Sequence, residues 1–107
     1  MVNIKIKGDT WKCSVYDDEE FLHKFGDGMA AFCQVDSKQI IFNEDDLTLQ
    51  TVIHEVAHAY ISYLHLIDSA ELKVDQIEEI YCEMFAHDGP DILKISKRLF
   101  KSLKQRM

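Results

Sequence analysis

The chain has 107 residues, of which 47% are hydrophobic and 29% charged, and its formal net charge is −7. This length suits a single domain spanning residues 1–107, and one proline with four glycines excludes a linker or a low-complexity protein. No apolar run approaches the roughly 20 residues needed to cross a bilayer, and the amino terminus lacks the apolar segment of a secretory signal. We therefore expect a cytoplasmic protein that does not associate with membranes.

The charges are unevenly distributed along the chain. Residues 1–90 carry 18 acidic and 6 basic side chains, whereas residues 91–107 carry one acid and six bases. The acidic body argues against general nucleic-acid binding, because phosphate contacts require a basic surface. The basic end suits the carboxyl terminus of a helix, where positive charge favours the helix dipole. An acidic partner, a membrane surface or a nucleic acid remain as alternative reasons for it.

Three cysteines, Cys13, Cys33 and Cys82, are scattered through the chain and form no CxxC pair. This spacing does not indicate a zinc ribbon or a disulfide framework. We expect reduced, mostly buried thiols. For Cys82 we expect a packing role, with a thiol near the metal as the alternative.

The first 43 residues alternate with strand periodicity. Residues 2–7 alternate apolar and polar side chains, and residues 10–16 do so again after a Gly-Asp turn, which predicts two strands. Residues 17–25 begin with acids and continue apolar, as a short helix does. Residues 29–43 predict two further strands around a turn at 36–38.

Helical periodicity follows in the rest of the chain. Apolar residues recur at three- and four-residue spacing over roughly 46–66, with helix caps expected from the preceding Asn-Glu-Asp-Asp, and again over 73–87. The segment His-Asp-Gly-Pro at 87–90 predicts a break, and a last amphipathic helix is expected over 91–104. The predicted class is α+β, with a small amino-terminal antiparallel or mixed sheet packed against three to four helices.

The predicted helix at 46–66 carries a His-Glu-x-x-His motif. His54 and His58 are one turn apart and share a face away from the main apolar stripe, so their imidazoles can converge on one tetrahedral zinc ion. Glu55 lies on the adjoining flank, where the motif uses it as a general base for a zinc-activated water. The alternative is a surface helix whose histidines face solvent.

A third ligand has to come from another element. His65 lies about 16 Å along the helix axis from the first histidine, and no glycine breaks the helix between them. Glu79 and Glu83 share one face of the next predicted helix, so one could bind zinc while the other accepts a hydrogen bond from a ligand imidazole. A solvated acidic face is the alternative. Lesser ligand candidates are Glu78 and His87.

The motif "TLQTVIHEVAHAYI" followed by "EEIYCEMFAHDGPDIL" resembles small gluzincin zinc metallopeptidases of phages and mobile elements, which are related to the ImmA/IrrE-type family. The resemblance implies a zincin-like domain. It implies that His54 and His58 are the first two zinc ligands and that Glu55 is the general base. It also implies that Glu79 is the third ligand and that Glu83, one turn later, supports a histidine.

These observations predict a zinc-dependent peptidase that hydrolyses a protein or peptide substrate with a zinc-activated water. The substrate could add itself to an exposed edge strand of the 30–43 hairpin. The residues available to stabilise the oxyanion are Tyr60, Tyr63, His65 and His87. The alternative is a zinc-stabilised, non-catalytic binding or regulatory protein whose basic last helix docks on an acidic partner.

Overall fold

The computed structural model describes residues 1–64 and 73–106. Within these ranges it has a four-stranded mixed sheet and three α-helices, which confirms the α+β class. The elements in chain order are β1 (Val2–Ile6), β2 (Asp9–Tyr16), α1 (Asp18–Phe25), β3 (Ala31–Gln34), β4 (Gln39–Asn43), a 3-10 turn (Glu44–Asp46), α2 (Leu49–Ser62) and α3 (Val74–Gln105).

Two hairpins joined side by side form the sheet, with strand order β1-β2-β4-β3. β1 and β2 are antiparallel, as are β3 and β4, whereas the central β2–β4 pair is parallel. The first hairpin turns at Lys7 and Gly8, whose φ values of 52° and 85° are the left-handed pair that a tight two-residue turn needs. β3 therefore lies at one edge of the sheet and β1 at the other.

Helices cover both faces of the sheet. On one face, α1 contributes two rings to an aromatic cluster whose neighbouring ring centroids lie 4.8 to 6.2 Å apart. Its members are Tyr16, Phe21, Phe25 and Phe32. On the other face, α2 and α3 pack on the main core, which includes Trp11, Ile40 and Phe42. Phe21 and Phe42 are fully buried.

Helix α2 is shorter than the predicted 46–66 helix. Its N-cap is Thr48, whose hydroxyl accepts a hydrogen bond from the backbone N–H of Thr51 at 3.1 Å. The acidic residues expected to cap it form the separate 3-10 turn instead, where the Asn43 side chain accepts from the backbone N–H of Asp45. Leu47 lies between the 3-10 turn and α2 and is buried, and this packing separates the turn from the helix. The predicted end at residue 66 and the connection at 67–72 lie in the part of the chain not described.

Helix α3 is continuous through the segment predicted to break it, so the prediction of two helices over 73–87 and 91–104 was wrong. Pro90 lies inside this helix of 32 residues. Buried Met84 and Ile92 lie on opposite sides of the proline along one inward-facing stripe, so a continuous helix keeps both in the core. No helix of the described ranges, including this long one, is apolar enough to cross a membrane.

All three cysteines are free thiols. Cys13 is buried and Cys33 is half-buried, as expected. Cys82 is exposed, so its predicted packing role was wrong: it lies on the outward side of α3, which no other described element covers.

Candidate metal centre

Helix α2 presents its two histidines side by side to solvent. The Nε2 atoms of His54 and His58 lie 3.1 Å apart, and their rings meet nearly edge to face, at 77° with centroids 4.7 Å apart. Together with a carboxylate oxygen of Glu55, their ligand atoms all lie within 4.8 Å of one another. The predicted shared face off the core stripe is confirmed, and the three residues could hold a metal ion.

The spacing of the two imidazole nitrogens suits a tetrahedral metal. Zinc–nitrogen bonds of about 2.0–2.1 Å at a tetrahedral angle place two ligand nitrogens about 3.3 Å apart. The observed Nε2–Nε2 distance of 3.1 Å is close to that value. Imidazole nitrogen suits zinc, copper, iron and nickel, so the two histidines fit zinc as one of several metals.

Glu55 faces inward although it belongs to the same helical turn. Its side chain is only 5% exposed. Burial raises the pKa of this carboxyl above its usual range, and the neighbouring His58 and His54 partly oppose that shift. A buried carboxylate with a raised pKa, next to two possible metal ligands, is a suitable proton acceptor for a reacting water.

A cleft of about 1160 Å³ opens over these three residues. One wall is α2, a second is the edge strand β3 with the turn that follows it, and Tyr81 of α3 closes part of a third side. Small and apolar residues dominate the β3 side of the cleft, which is common in binding clefts. They are Ala30, Ala31, Phe32, Cys33 and Val35.

Sequence reasoning missed Cys33 as a cleft residue. Across the sheet, Cys33 pairs with Ile40, which pairs in turn with Cys13, so the three side chains form one row. Ile40 and Cys13 belong to the helix-side core, and Cys33 therefore faces the cleft. Burial, followed by the charge of Glu55, raises the pKa of the Cys33 thiol to about 11. The pairing of β4 with both neighbours is not visible in the sequence, so only the structure could place this thiol.

Tyr81 is a second cleft residue that sequence reasoning missed. It is half-buried and lines the cleft.

Glu79 and Glu83, the predicted third ligand and its neighbour, are exposed. Within the described residues, the group that could hold a metal does not include them. At 3.6 residues per turn, each lies about 160° around α3 from Tyr81. The structure therefore does not bring the two glutamates to the histidines.

The other candidate residues lie elsewhere. Tyr60 is buried and the Tyr63 hydroxyl is held by the first hairpin; neither lines the cleft, and His87 is exposed outside it. His65 lies outside the described residues. Glu78, the lesser ligand candidate, is exposed on α3.

No protein-family model matches this chain, and no match is found among the curated proteins or the solved structures.

Proposed function

We propose that this protein is a zinc-dependent peptidase of the small gluzincin type, related to the ImmA/IrrE-type family. The observation that carries the proposal is the pair of imidazole nitrogens, 3.1 Å apart, next to the buried carboxylate of Glu55. The spacing suits a tetrahedral zinc ion, and the carboxylate supplies the base that hydrolysis needs. The cleft in front of them provides room for a peptide.

Each residue has a distinct role in the proposed reaction. His54 and His58 hold the metal, and Glu79 is the third ligand that the sequence resemblance assigns. When bound, zinc supplies a Lewis acid that polarises a carbonyl and lowers the pKa of water. Glu55 accepts the proton of the attacking water and transfers it to the leaving amine, and its burial makes it a stronger base than a surface glutamate.

The glutamate roles rest on the sequence resemblance. In the structure Glu79 and Glu83 are exposed, each about 160° around α3 from the cleft-lining Tyr81. The zinc content of the Glu79→Ala variant therefore tests Glu79 as the third ligand, with Glu83 one turn later as the residue that supports a histidine.

The edge strand β3 offers a place for the substrate backbone. In the described sheet β3 pairs with β4 on one side, which leaves its other edge to bind an extended peptide by strand addition. The residues of β3 that line the cleft lie across from the histidines, so a peptide added there would pass next to Glu55. We therefore propose unstructured protein or peptide segments as substrates.

One experiment tests this function by measuring zinc content and peptide hydrolysis on the same samples. Glu55→Gln should retain zinc and lose hydrolysis by about 10²–10⁴-fold, because the general base is removed. Glu79→Ala should lose zinc. The matched control is Glu19→Gln, at an exposed position of α1, which should change neither quantity.

Two outcomes would contradict the proposal. Unchanged hydrolysis in Glu55→Gln would exclude the base role, and zinc-loaded protein that cleaves no peptide would favour the non-catalytic, zinc-stabilised alternative. Stoichiometric zinc in Glu79→Ala would show that a different group is the third ligand.

A further inference from the structure

The outer edge of β3 carries main-chain groups that the described sheet does not use. The backbone N–H of Asn43 donates to the carbonyl of Ala30 at 3.0 Å, so these residues form a hydrogen-bonded pair at the end of the antiparallel β3–β4 ladder. Such pairs alternate along a ladder with a period of two residues. The N–H and C=O groups of Ala31 and Cys33 therefore point away from β4, toward the open edge.

The bonds on the other side of β4 lead to the same assignment. Lys12 of β2 is in register with Gln39, and its backbone N–H donates to the carbonyl of Lys38 at 3.0 Å. In a parallel ladder such bonds go to the residues on either side of the register partner, so Ile40 uses its main-chain groups toward β2. Ile40 is the residue opposite Cys33, which therefore receives no main-chain bond from β4.

The side chains of Ala31 and Cys33 face the cleft side of the sheet. Ala31 is opposite Phe42 and Cys33 is opposite Ile40, and both partners belong to the core on which α2 and α3 pack. Residues directly opposite each other in a sheet share one face. In a strand added outside β3, the side chains opposite Ala31 and Cys33 would therefore point into the cleft.

Helix α2 lines this cleft along most of its length. Its lining residues begin at Gln50 and end at Ser62, with His54, Glu55 and His58 between them. At 1.5 Å per residue this stretch is about 18 Å long, which matches about five residues of an extended chain at about 3.3 Å each. An extended peptide of that length would have its middle residues next to the histidines.

Strand β3 lacks the features that protect most edge strands. Sheet edges are commonly blocked by lysine, by proline or by a covering element. The opposite edge strand, β1, carries the exposed Lys5, whereas Ala31–Gln34 contains neither a charged residue nor a proline. An edge with unused main-chain groups and no blocking residue, inside a cleft, is suited to bind another strand.

We propose that the cleft binds an extended peptide of about five residues, antiparallel to β3 and paired with the main chain of Ala31 and Cys33, with apolar side chains opposite both. The inference rests on the proposed function, which makes a peptide the ligand, and it adds the register and the side-chain class of the substrate. The antiparallel direction is the more stable pairing. Apolar side chains fit because Ala31 and Cys33 are small, and Ile61 adds an apolar side chain from α2.

Two synthetic peptides of identical composition test the side-chain class. In acetyl-Thr-Leu-Thr-Leu-Thr-amide both leucines lie on one face of a strand, whereas in acetyl-Thr-Leu-Leu-Thr-Thr-amide they lie on opposite faces. Calorimetry with Glu55→Gln in the presence of zinc measures binding without cleavage. The alternating peptide should bind about tenfold or more tightly than its partner, because it buries a second leucine.

Methylated versions of the alternating peptide test the register. In an antiparallel pair, the residues opposite Ala31 and Cys33 direct their amides at β3, and the residues between them direct theirs away. Methylation of the two leucine amides should therefore weaken binding by about fivefold or more, since two hydrogen bonds are lost. Methylation of the central and last threonine amides should leave the affinity nearly unchanged.

A substitution in β3 tests the same contact from the protein side. Cys33→Pro removes an N–H that makes no bond to β4, so the sheet should be retained while peptide binding weakens by about threefold or more. Cys33→Ala is the matched control, since it removes the thiol, retains the N–H and should bind like the parent protein. Circular dichroism checks that both variants are folded, and the methylated peptides test the register independently of them.

Several outcomes would overturn the proposal. They are equal binding of the two peptides, equal effects of the two methylation patterns, or a dimer that Cys33→Pro dissociates in sedimentation experiments, because the edge would then bind a second copy. Binding with the expected pattern, but without cleavage by zinc-loaded wild type, would support the register and contradict the peptidase function. Cleavage that is indifferent to these changes would contradict the register alone.

Discussion

At the scale of single residues, one turn of α2 carries two exposed imidazoles and one buried carboxylate. His54 and His58 project to solvent, whereas Glu55 turns inward toward the edge strand and is buried. Adjacent residues of a helix are about 100° apart, so one turn can expose two imidazoles and bury the carboxylate between them. The raised pKa of Glu55 follows from this burial, and so does its suitability as a base.

The buried thiol of Cys13 predicts how the free energy of unfolding changes with pH. Burial, with a smaller contribution from Cys33, raises the pKa of its thiol from 9.0 to about 12. Between these values the unfolded chain has lost the proton and the folded chain retains it, so the stability present below pH 9 is lost as pH rises toward 12. We expect the free energy of unfolding, measured in urea with reductant, to fall more steeply above pH 9 in wild type than in Cys13→Ala.

The control for this prediction is Cys82→Ala, since Cys82 is exposed. It should reproduce the wild-type slope of the free energy of unfolding against pH. Equal slopes in all three proteins would show that ionisation of Cys13 is not linked to folding.

At the scale of elements, packing decides where the helices begin and end. Helix α2 starts after Thr48 rather than in the acidic segment, because Leu47 is buried immediately before the cap. Helix α3 continues through Gly89 and Pro90, because buried residues on both sides of them lie on one stripe. Caps and breakers act locally, and core contacts of several residues outweigh a single proline.

The cap of α2 gives a prediction for that element. Thr48→Ala should lower the free energy of unfolding by about 1 kcal/mol, because the backbone N–H of Thr51 loses its acceptor. Thr48→Ser retains the hydroxyl and should stay within a few tenths of a kcal/mol of wild type. Chemical denaturation measures both values. Equal stability of Thr48→Ala and Thr48→Ser would show that the hydroxyl contributes nothing at this position.

At the scale of the whole molecule, a few polar contacts join the first hairpin to the helices. The Tyr63 hydroxyl, just after α2, donates to Asp9 Oδ2 at 2.7 Å and accepts from Trp11 Nε1 at 3.0 Å. The guanidinium of Arg106 donates to the backbone carbonyl of Met1 at 2.7 Å, which connects the end of α3 to the start of β1. The Tyr63 contacts hold the end of α2 against the first hairpin, and α2 carries the candidate metal centre.

Tyr63→Phe tests this connection. Removing the hydroxyl leaves the part-buried Trp11 N–H and Asp9 carboxylate without this partner, so the free energy of unfolding should fall by about 1–3 kcal/mol. Tyr16→Phe is the control, since no hydrogen bond of the Tyr16 hydroxyl is found within the described residues. Thermal or urea unfolding distinguishes them, and equal stability of the two variants would refute the anchoring role of Tyr63.

Much of the local structure could be predicted because it depends on backbone periodicity alone. Apolar and polar side chains that alternate with a period of two in residues 2–7 and 10–16 predicted the first hairpin. The four-residue spacing of His54 and His58 predicted that they share an exposed face. Both are consequences of strand and helix geometry, which the order of side chains reveals without knowledge of distant contacts.

The remaining features depend on contacts between residues far apart in the chain. The parallel pairing of β2 with β4 places Cys33 opposite α2, and the packing of α3 turns Tyr81 toward the cleft and Glu79 away from it. Register and helix rotation are set by which surfaces can be buried together, and a single sequence does not display that choice. The sequence by itself thus determined the paired histidines and their glutamate, whereas the tertiary structure decided which side chains surround them.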